Sequence, residues 1–149
     1  MQIKYGAVLP LPPEQAFDFV SNPANWGTFF DSVESAEALQ GWGSPGGKAR
    51  MVNKVLGREV VSDLEVLEWD RPHQFRYVAH FTDHPDMDNK RTFDAVPGGT
   101  RLTGTTDATA RRGVDWVFDT ISGLAVRRLY KRGMKELPGQ AAKAAHHQD

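Results

Sequence analysis

The chain has 149 residues, of which 40% are hydrophobic and 25% charged, with a formal net charge of -1 and no cysteine. This is the size and make-up of one globular domain with a sizeable core. The near-zero charge argues against a general nucleic-acid binder, which carries a basic excess, and the lack of cysteine removes disulfides and thiol chemistry.

No long apolar run follows the basic residue of Met1-Gln2-Ile3-Lys4-Tyr5, so no signal peptide is read. No apolar stretch approaches the roughly 20 residues of an integral membrane segment. The expected location is cytoplasmic.

Gln2 to Leu9 alternates, with Ile3, Tyr5, Ala7 and Leu9 on one side, which predicts a half-buried strand. Pro12-Pro13-Glu14 opens a short helix, since proline is tolerated in the first turn and an acid there suits the helix dipole. Ala16, Phe17, Phe19 and Val20 form its apolar face, and Ser21-Asn22-Pro23 ends it. A second short helix over Pro23 to Phe30 carries Trp26, Phe29 and Phe30.

Strands follow at Val33 to Leu39, Lys48 to Leu56 and Arg58 to Trp69, then from Phe75 to Phe81, Asn89 to Ala95 and Arg101 to Ala110. The clearest places Val60, Ser62, Leu64 and Val66 on one face. Loops rich in glycine and proline separate them, Gly41 to Gly47 and Pro97-Gly98-Gly99-Thr100 among them.

From Val114 the period becomes helical. Val114, Val117, Phe118, Ile121 and Leu124 share one face, and Val126, Tyr130, Met134 and Leu137 share another, roughly opposite. A bend or break at Ser122-Gly123, a pair that can kink a helix, would let the first half cap a cavity while the second packs along the sheet. The alternative is a straight helix buried on two sides, one of them at a homodimer contact. Pro138-Gly139 is read as the end of the packed helix, and 140–149 as a disordered tail with no apolar face. His146-His147 in that tail have no second shell to orient them, so no metal site is read.

The segments Leu11-Pro12-Pro13-Glu14-Gln15-Ala16-Phe17-Asp18-Phe19-Val20, Asn22-Pro23-Ala24-Asn25-Trp26 and Gly98-Gly99-Thr100-Arg101-Leu102, with the long last helix, carry a resemblance. Together they resemble the START-like (SRPBCC) superfamily of polyketide cyclases and dehydrases, lipid-transfer proteins and the major birch pollen allergen. The resemblance implies an α+β helix-grip fold over residues 1–139. In it a curved antiparallel sheet, in the order β-α-α-β6-α, wraps around the long C-terminal helix and encloses a cavity. These segments mark a fold and not an activity.

Strand alternation suggests the wall of that cavity, with Leu64, Tyr77, Phe81, Arg91, Phe93 and Thr106 from the sheet, while the first half of the last helix, with Phe118, Ile121 and Leu124, is placed at its entrance and Ile121 also reaches the lining. Trp26, Phe29 and Phe30 are placed at its entrance. Arg91 is the notable polar member, since a buried guanidinium needs a partner carboxylate or an anionic or carbonyl-bearing ligand. A one-residue slip in register would turn it to solvent. His80 and His84 with Asp83 and Asp86 surround Pro85 in a polar stretch and read as a solvated loop.

The leading expectation is a binder of a small hydrophobic ligand, be it a lipid, an isoprenoid or an aromatic polyketide. A cyclase, aromatase or dehydrase is the alternative, with Arg91, Tyr77 and a histidine polarising a carbonyl and moving a proton. A protein-interaction module is the third reading. No catalytic residue is assigned and no cofactor is expected.

Overall fold

The computed structural model describes residues 2–55, 57–82 and 85–108 and the backbone of 115–148, with side chains for 127–145 of that last segment. Seven strands form one antiparallel sheet. They are β1 (Gln2–Leu9), β2 (Val33–Ala38), β3 (Lys48–Val55), β4 (Arg58–Asp70), β5 (Gln74–Phe81), β6 (Met87–Val96) and β7 (Gly99–Ala108). Their order across the sheet is β1-β7-β6-β5-β4-β3-β2, so β1 and β2 are its two edges. Helix α1 (Pro13–Ser21) and a 3₁₀ turn (Pro23–Thr28) bridge those edges, and the long helix α2 (Asp115–Gln148) closes the chain. The result is a curled half-barrel gripping a terminal helix, as the strand count and order anticipated.

The alternation that predicts the strands also decides their faces. Ser62, Leu64 and Val66 of β4 are buried, as are Phe75, Tyr77 and Ala79 of β5 and Asn89, Arg91 and Phe93 of β6. Thr100, Leu102 and Thr106 of β7 complete the concave face. On it Phe17 of α1 packs edge-on against Phe75 and Trp69, with ring centroids 5.5 and 5.3 Å away. Interlocked aromatic rings dominate this core because each buries a large apolar surface in few rotatable bonds. Among the described residues, no helix is long and apolar enough to cross a membrane.

The C-terminal reading is corrected in one respect. Pro138 lies inside α2, and the helix continues to Gln148. Proline removes one backbone hydrogen bond of a helix and strains the preceding turn, but tertiary packing compensates here. Ala141 is fully buried, and Ala144 and Ala145 pack against the core. Three alanines at helical spacing form a narrow apolar face, which the sequence reading of 140–149 did not register. The backbone helix is unbroken across Ser122-Gly123. The faces assigned to Val114, Val117, Phe118, Ile121 and Leu124 lie outside the described side chains.

Candidate functional site

The site is assembled from the register of four strands. Arg91 of β6 sits opposite Phe75 of β5 on one side and Gly104 of β7 on the other, and Gly104 sits opposite Tyr5 of β1. One row of the concave face therefore runs Tyr5–Gly104–Arg91–Phe75. The next row runs Ile3–Thr106–Asn89–Tyr77.

Gly104 makes the first row work. A Cβ at this position would lie 2.0 Å from the Tyr5 ring. The missing side chain lets that ring cross β7 and bring its hydroxyl to Arg91, whose Nε donates to it at 3.2 Å. On the other flank, Arg91 Nη2 donates to the Tyr77 hydroxyl at 3.2 Å.

Aromatic rings surround the guanidinium. Its centre lies 5.4 Å from the Trp26 ring, 5.5 Å from Tyr77, 5.7 Å from Phe75 and 5.9 Å from Phe30. Such contacts are attractive through the ring quadrupoles but do not neutralise the charge. Arg91 is 2% exposed, and its Nη1 has no hydrogen-bond partner among the described residues. The ion pairs among the described residues leave Arg91 out and involve partly exposed side chains. Ser62 Oγ, on the same face of the sheet, is also buried without a partner among them.

Tyr130 of α2 closes the cluster. Its ring stacks on Tyr5 with centroids 4.3 Å apart and an interplanar angle of 11°. Its hydroxyl lies 3.2 Å from Thr106 Oγ1 and 3.4 Å from Asn89 Oδ1, and Thr106 Oγ1 donates to that same Asn89 oxygen at 2.8 Å. Gly133, one turn further along α2, admits the helix this closely, since a Cβ there would lie 2.4 Å from Phe30 Cδ1.

Burial pushes the Tyr77 hydroxyl up to about 12, with the Arg91 charge pulling the other way. Tyr130 is pushed above its ordinary value by burial and then by the neighbouring Tyr5 and Tyr77 hydroxyls. Burial by itself disfavours the Arg91 charge, the oxygens of Tyr5, Tyr77 and Tyr130 beside it favour it, and the guanidinium stays a cation. The cluster thus holds one positive charge, whose N–H groups donate to the hydroxyls of Tyr5 and Tyr77.

An open groove of about 780 Å³ runs between β1 and α2, with Tyr5 and Tyr130 in its lining. Lys4, Arg127, Lys131 and Lys135 also line it, and no carboxylate of the described residues does. Arg91 is therefore one side chain away from open space.

The sequence-predicted residues come together unevenly. Arg91, Tyr77 and Thr106 meet at the cluster, with Trp26 and Phe30 over them. Leu64 and Phe93 pack into the hydrophobic core, and Phe81 is half-buried beside it. Phe118, Ile121 and Leu124 lie outside the described side chains. Trp26, Phe29 and Phe30, expected at an entrance, are 1%, 1% and 5% exposed and form an inner roof. The 3₁₀ turn leans into the sheet, and Trp26 Nε1 donates to the carbonyl of Val20 at 2.7 Å.

His80 Nδ1 lies 2.9 Å from Asp86 Oδ2, and its exposed side chain shares the outer face of β5 with Arg76, away from the cluster. Asp83 and His84 lie outside the described residues. No group of metal-ligating side chains is found among the described residues.

Tyr5, Phe75, Asn89, Gly104 and Tyr130 were not singled out from the sequence. Tyr5 and Asn89 share the inward phase of their strands, which was a usable signal. Which residue faces which across strands could not be read from one chain.

A curled antiparallel sheet closed on a terminal helix, with polar groups on the concave face, defines the helix-grip, START-like class. The chain belongs to the family described as polyketide cyclase / dehydrase and lipid transport, which it matches over residues 2–141. It is similar in fold to TTHA0849 from Thermus thermophilus at 18% identity, covering 97% of this chain and 99% of that one with a TM-score of 0.82. A START superfamily protein from Mycobacterium smegmatis is similar at 15% identity, covering 96% and 98% of the two chains with a TM-score of 0.71. Ara h 8.0201 is similar at 15% identity, with coverage of 96% and 98% and a TM-score of 0.66. None of the curated proteins compared matches the chain.

Proposed function

We propose that this protein binds a small hydrophobic ligand with an oxygen-bearing end, in the cytoplasm, and holds that end on Arg91 and its tyrosines. The observation that carries the reading is a buried, under-bonded guanidinium inside an aromatic box, one side chain from an open groove. Apolar walls with a few convergent polar groups are the usual make-up of a small-molecule site. Family membership supports the same reading, because lipid transport is part of the family's description.

The cluster also bears on a cyclase or dehydrase reading. Arg91 and the hydroxyls of Tyr5 and Tyr77 could polarise a carbonyl. A proton beside that carbonyl must then be taken by a base near its working pH, and neither arginine nor a tyrosine with a raised pKa serves at neutral pH. No histidine or carboxylate of the described residues stands at the cluster. Binding is the function this chemistry supports best.

Native mass spectrometry of the purified protein tests the reading. The expected result is a non-covalent adduct of a few hundred daltons, lost on collisional activation and replaced by added hydrophobic ligand. An unadducted protein that takes up none of a panel of fatty acids, isoprenoids and flat aromatics would overturn it.

A further inference from the structure

The ligand-binding reading leaves open what the oxygen-bearing end is, and the surroundings of Arg91 decide between classes. We propose that the site takes a monoanionic carboxylate, bound by Arg91 and reached through the basic groove between β1 and α2. This inference rests on the reading above and names its ligand class.

The first argument is unused bonding capacity. A guanidinium has five N–H donors in a planar fork. Tyr5 takes Nε and Tyr77 takes one hydrogen of Nη2, while Nη1 has no partner among the described residues. The open side is therefore the Nη1–Nη2 end, which matches the two oxygens of a carboxylate.

The second argument is charge. Charges out of water are paired or bound to an opposite charge, and no carboxylate among the described residues pairs with Arg91. Tyr77 does not supply the anion, because burial pushes its hydroxyl up to about 12. A neutral ketone or ester would satisfy the N–H groups and leave the charge uncompensated. One cation calls for one negative charge, so a doubly charged phosphate monoester would bring a second charge that Arg91 does not pair.

The third argument is the approach. Among the described residues, the groove lining carries Lys4, Arg127, Lys131 and Lys135 and no acid, and its Tyr5 hydroxyl touches Arg91. An organic anion drawn to that mouth meets the stacked pair Tyr5–Tyr130. A swing of either ring would connect groove and guanidinium.

The test is calorimetric binding of 2-naphthoate and dodecanoate to the full chain at pH 7.5, each beside its methyl ester, with dodecyl phosphate as a third arm. The wild type is expected to bind each acid at least about tenfold more tightly than its ester, as a desolvated charge pair allows. Arg91→Met, similar in length and uncharged, is expected to lose the preference for acids and to bind each acid no more tightly than its ester. Arg91→Lys keeps the charge without the fork and is expected to retain part of that preference.

Equal binding of acid and ester by the wild type would overturn the carboxylate assignment and leave the hydrophobic-ligand reading standing. So would tighter binding of dodecyl phosphate than of dodecanoate. An acid preference that survives intact in Arg91→Met would place the anion elsewhere. A wild type that binds neither acids nor esters would overturn both readings. The wild-type comparison decides even where Arg91→Met does not fold.

Discussion

At the scale of single residues, the concave face holds groups that a fold alone does not require. Hydrophobic side chains of similar volume in place of Arg91 and Tyr77 would pack the same space without desolvating a charge, and such replacements are often neutral or stabilising. Ser62 Oγ adds a second buried polar atom without a partner among the described residues, at a cost of about 1–3 kcal/mol where nothing meets it. Tyr77 gives a direct check on how dry this environment is. Its hydroxyl is pushed up to about 12 by burial, against about 10 in an unfolded chain. Below pH 10 both states keep the proton, and the group does not alter stability. Above pH 10 the unfolded chain loses its proton first, so stability falls as pH rises through the native value. The loss from this one residue is about 2–3 kcal/mol by pH 12. Urea unfolding between pH 8 and 12 is expected to show Tyr77→Phe losing less stability, relative to its own value at pH 8, than the wild type does. Parallel losses in the two proteins would show that the hydroxyl is wetter than the geometry implies.

At the scale of elements, two glycines set how closely parts of the site approach. Gly104 gives the Tyr5 ring its place over β7, and Gly133 seats α2 against Phe30 and the Phe29 carbonyl, which a Cβ would meet at 2.4 and 3.2 Å. Alanine is favoured over glycine within a helix by about 1 kcal/mol. Gly133→Ala is nevertheless expected to destabilise the protein by about 1–3 kcal/mol, because overpacking a buried contact moves rigid neighbours. The Phe30 ring is one of those, held by Phe29 and Tyr130 at centroid distances of 4.6 and 5.3 Å. Thermal unfolding checks this, and a raised midpoint would mean that α2 sits further from the roof. These glycines also show where reading a sequence stops. Alternation along β6 pointed Arg91 inward but left a one-residue slip open, while proline with acid at Pro13-Glu14 was enough to start α1. Register between β1, β7 and β6 is a property of pairs of strands. The meeting of Tyr5 with Arg91 over Gly104 had no signature in any one of them. The extension of α2 beyond Pro138 was missed for a related reason, since Ala141, Ala144 and Ala145 become an apolar face only beside a core that accepts them.

At the scale of the whole molecule, the formal net charge of -1 conceals an uneven distribution. Acids and bases alternate across the outer face of the sheet, where Arg76 joins Glu68 and Asp88 and Lys48 joins Glu65. The rim of the β1–α2 groove departs from this, with Lys4, Arg127, Lys131 and Lys135 and no acid among the described residues of its lining. A mouth of one sign over low-dielectric walls concentrates oppositely charged ligands and raises their rate of arrival, an effect screened over about 10 Å at 0.1 M salt. It contributes little to holding the ligand once Arg91 has it. The two roles separate kinetically. Lys131→Gln with Lys135→Gln is expected to slow association of 2-naphthoate about threefold to tenfold at 20 mM salt, within the range that steering supplies. The difference from wild type is expected to shrink as salt rises, while dissociation and the uptake of methyl 2-naphthoate stay as in the wild type. Stopped-flow measurements across a salt series check each term. Faster dissociation in the double variant would make these lysines part of the bound complex. Equal slowing of acid and ester would mean that the substitutions had reshaped the mouth and not its field.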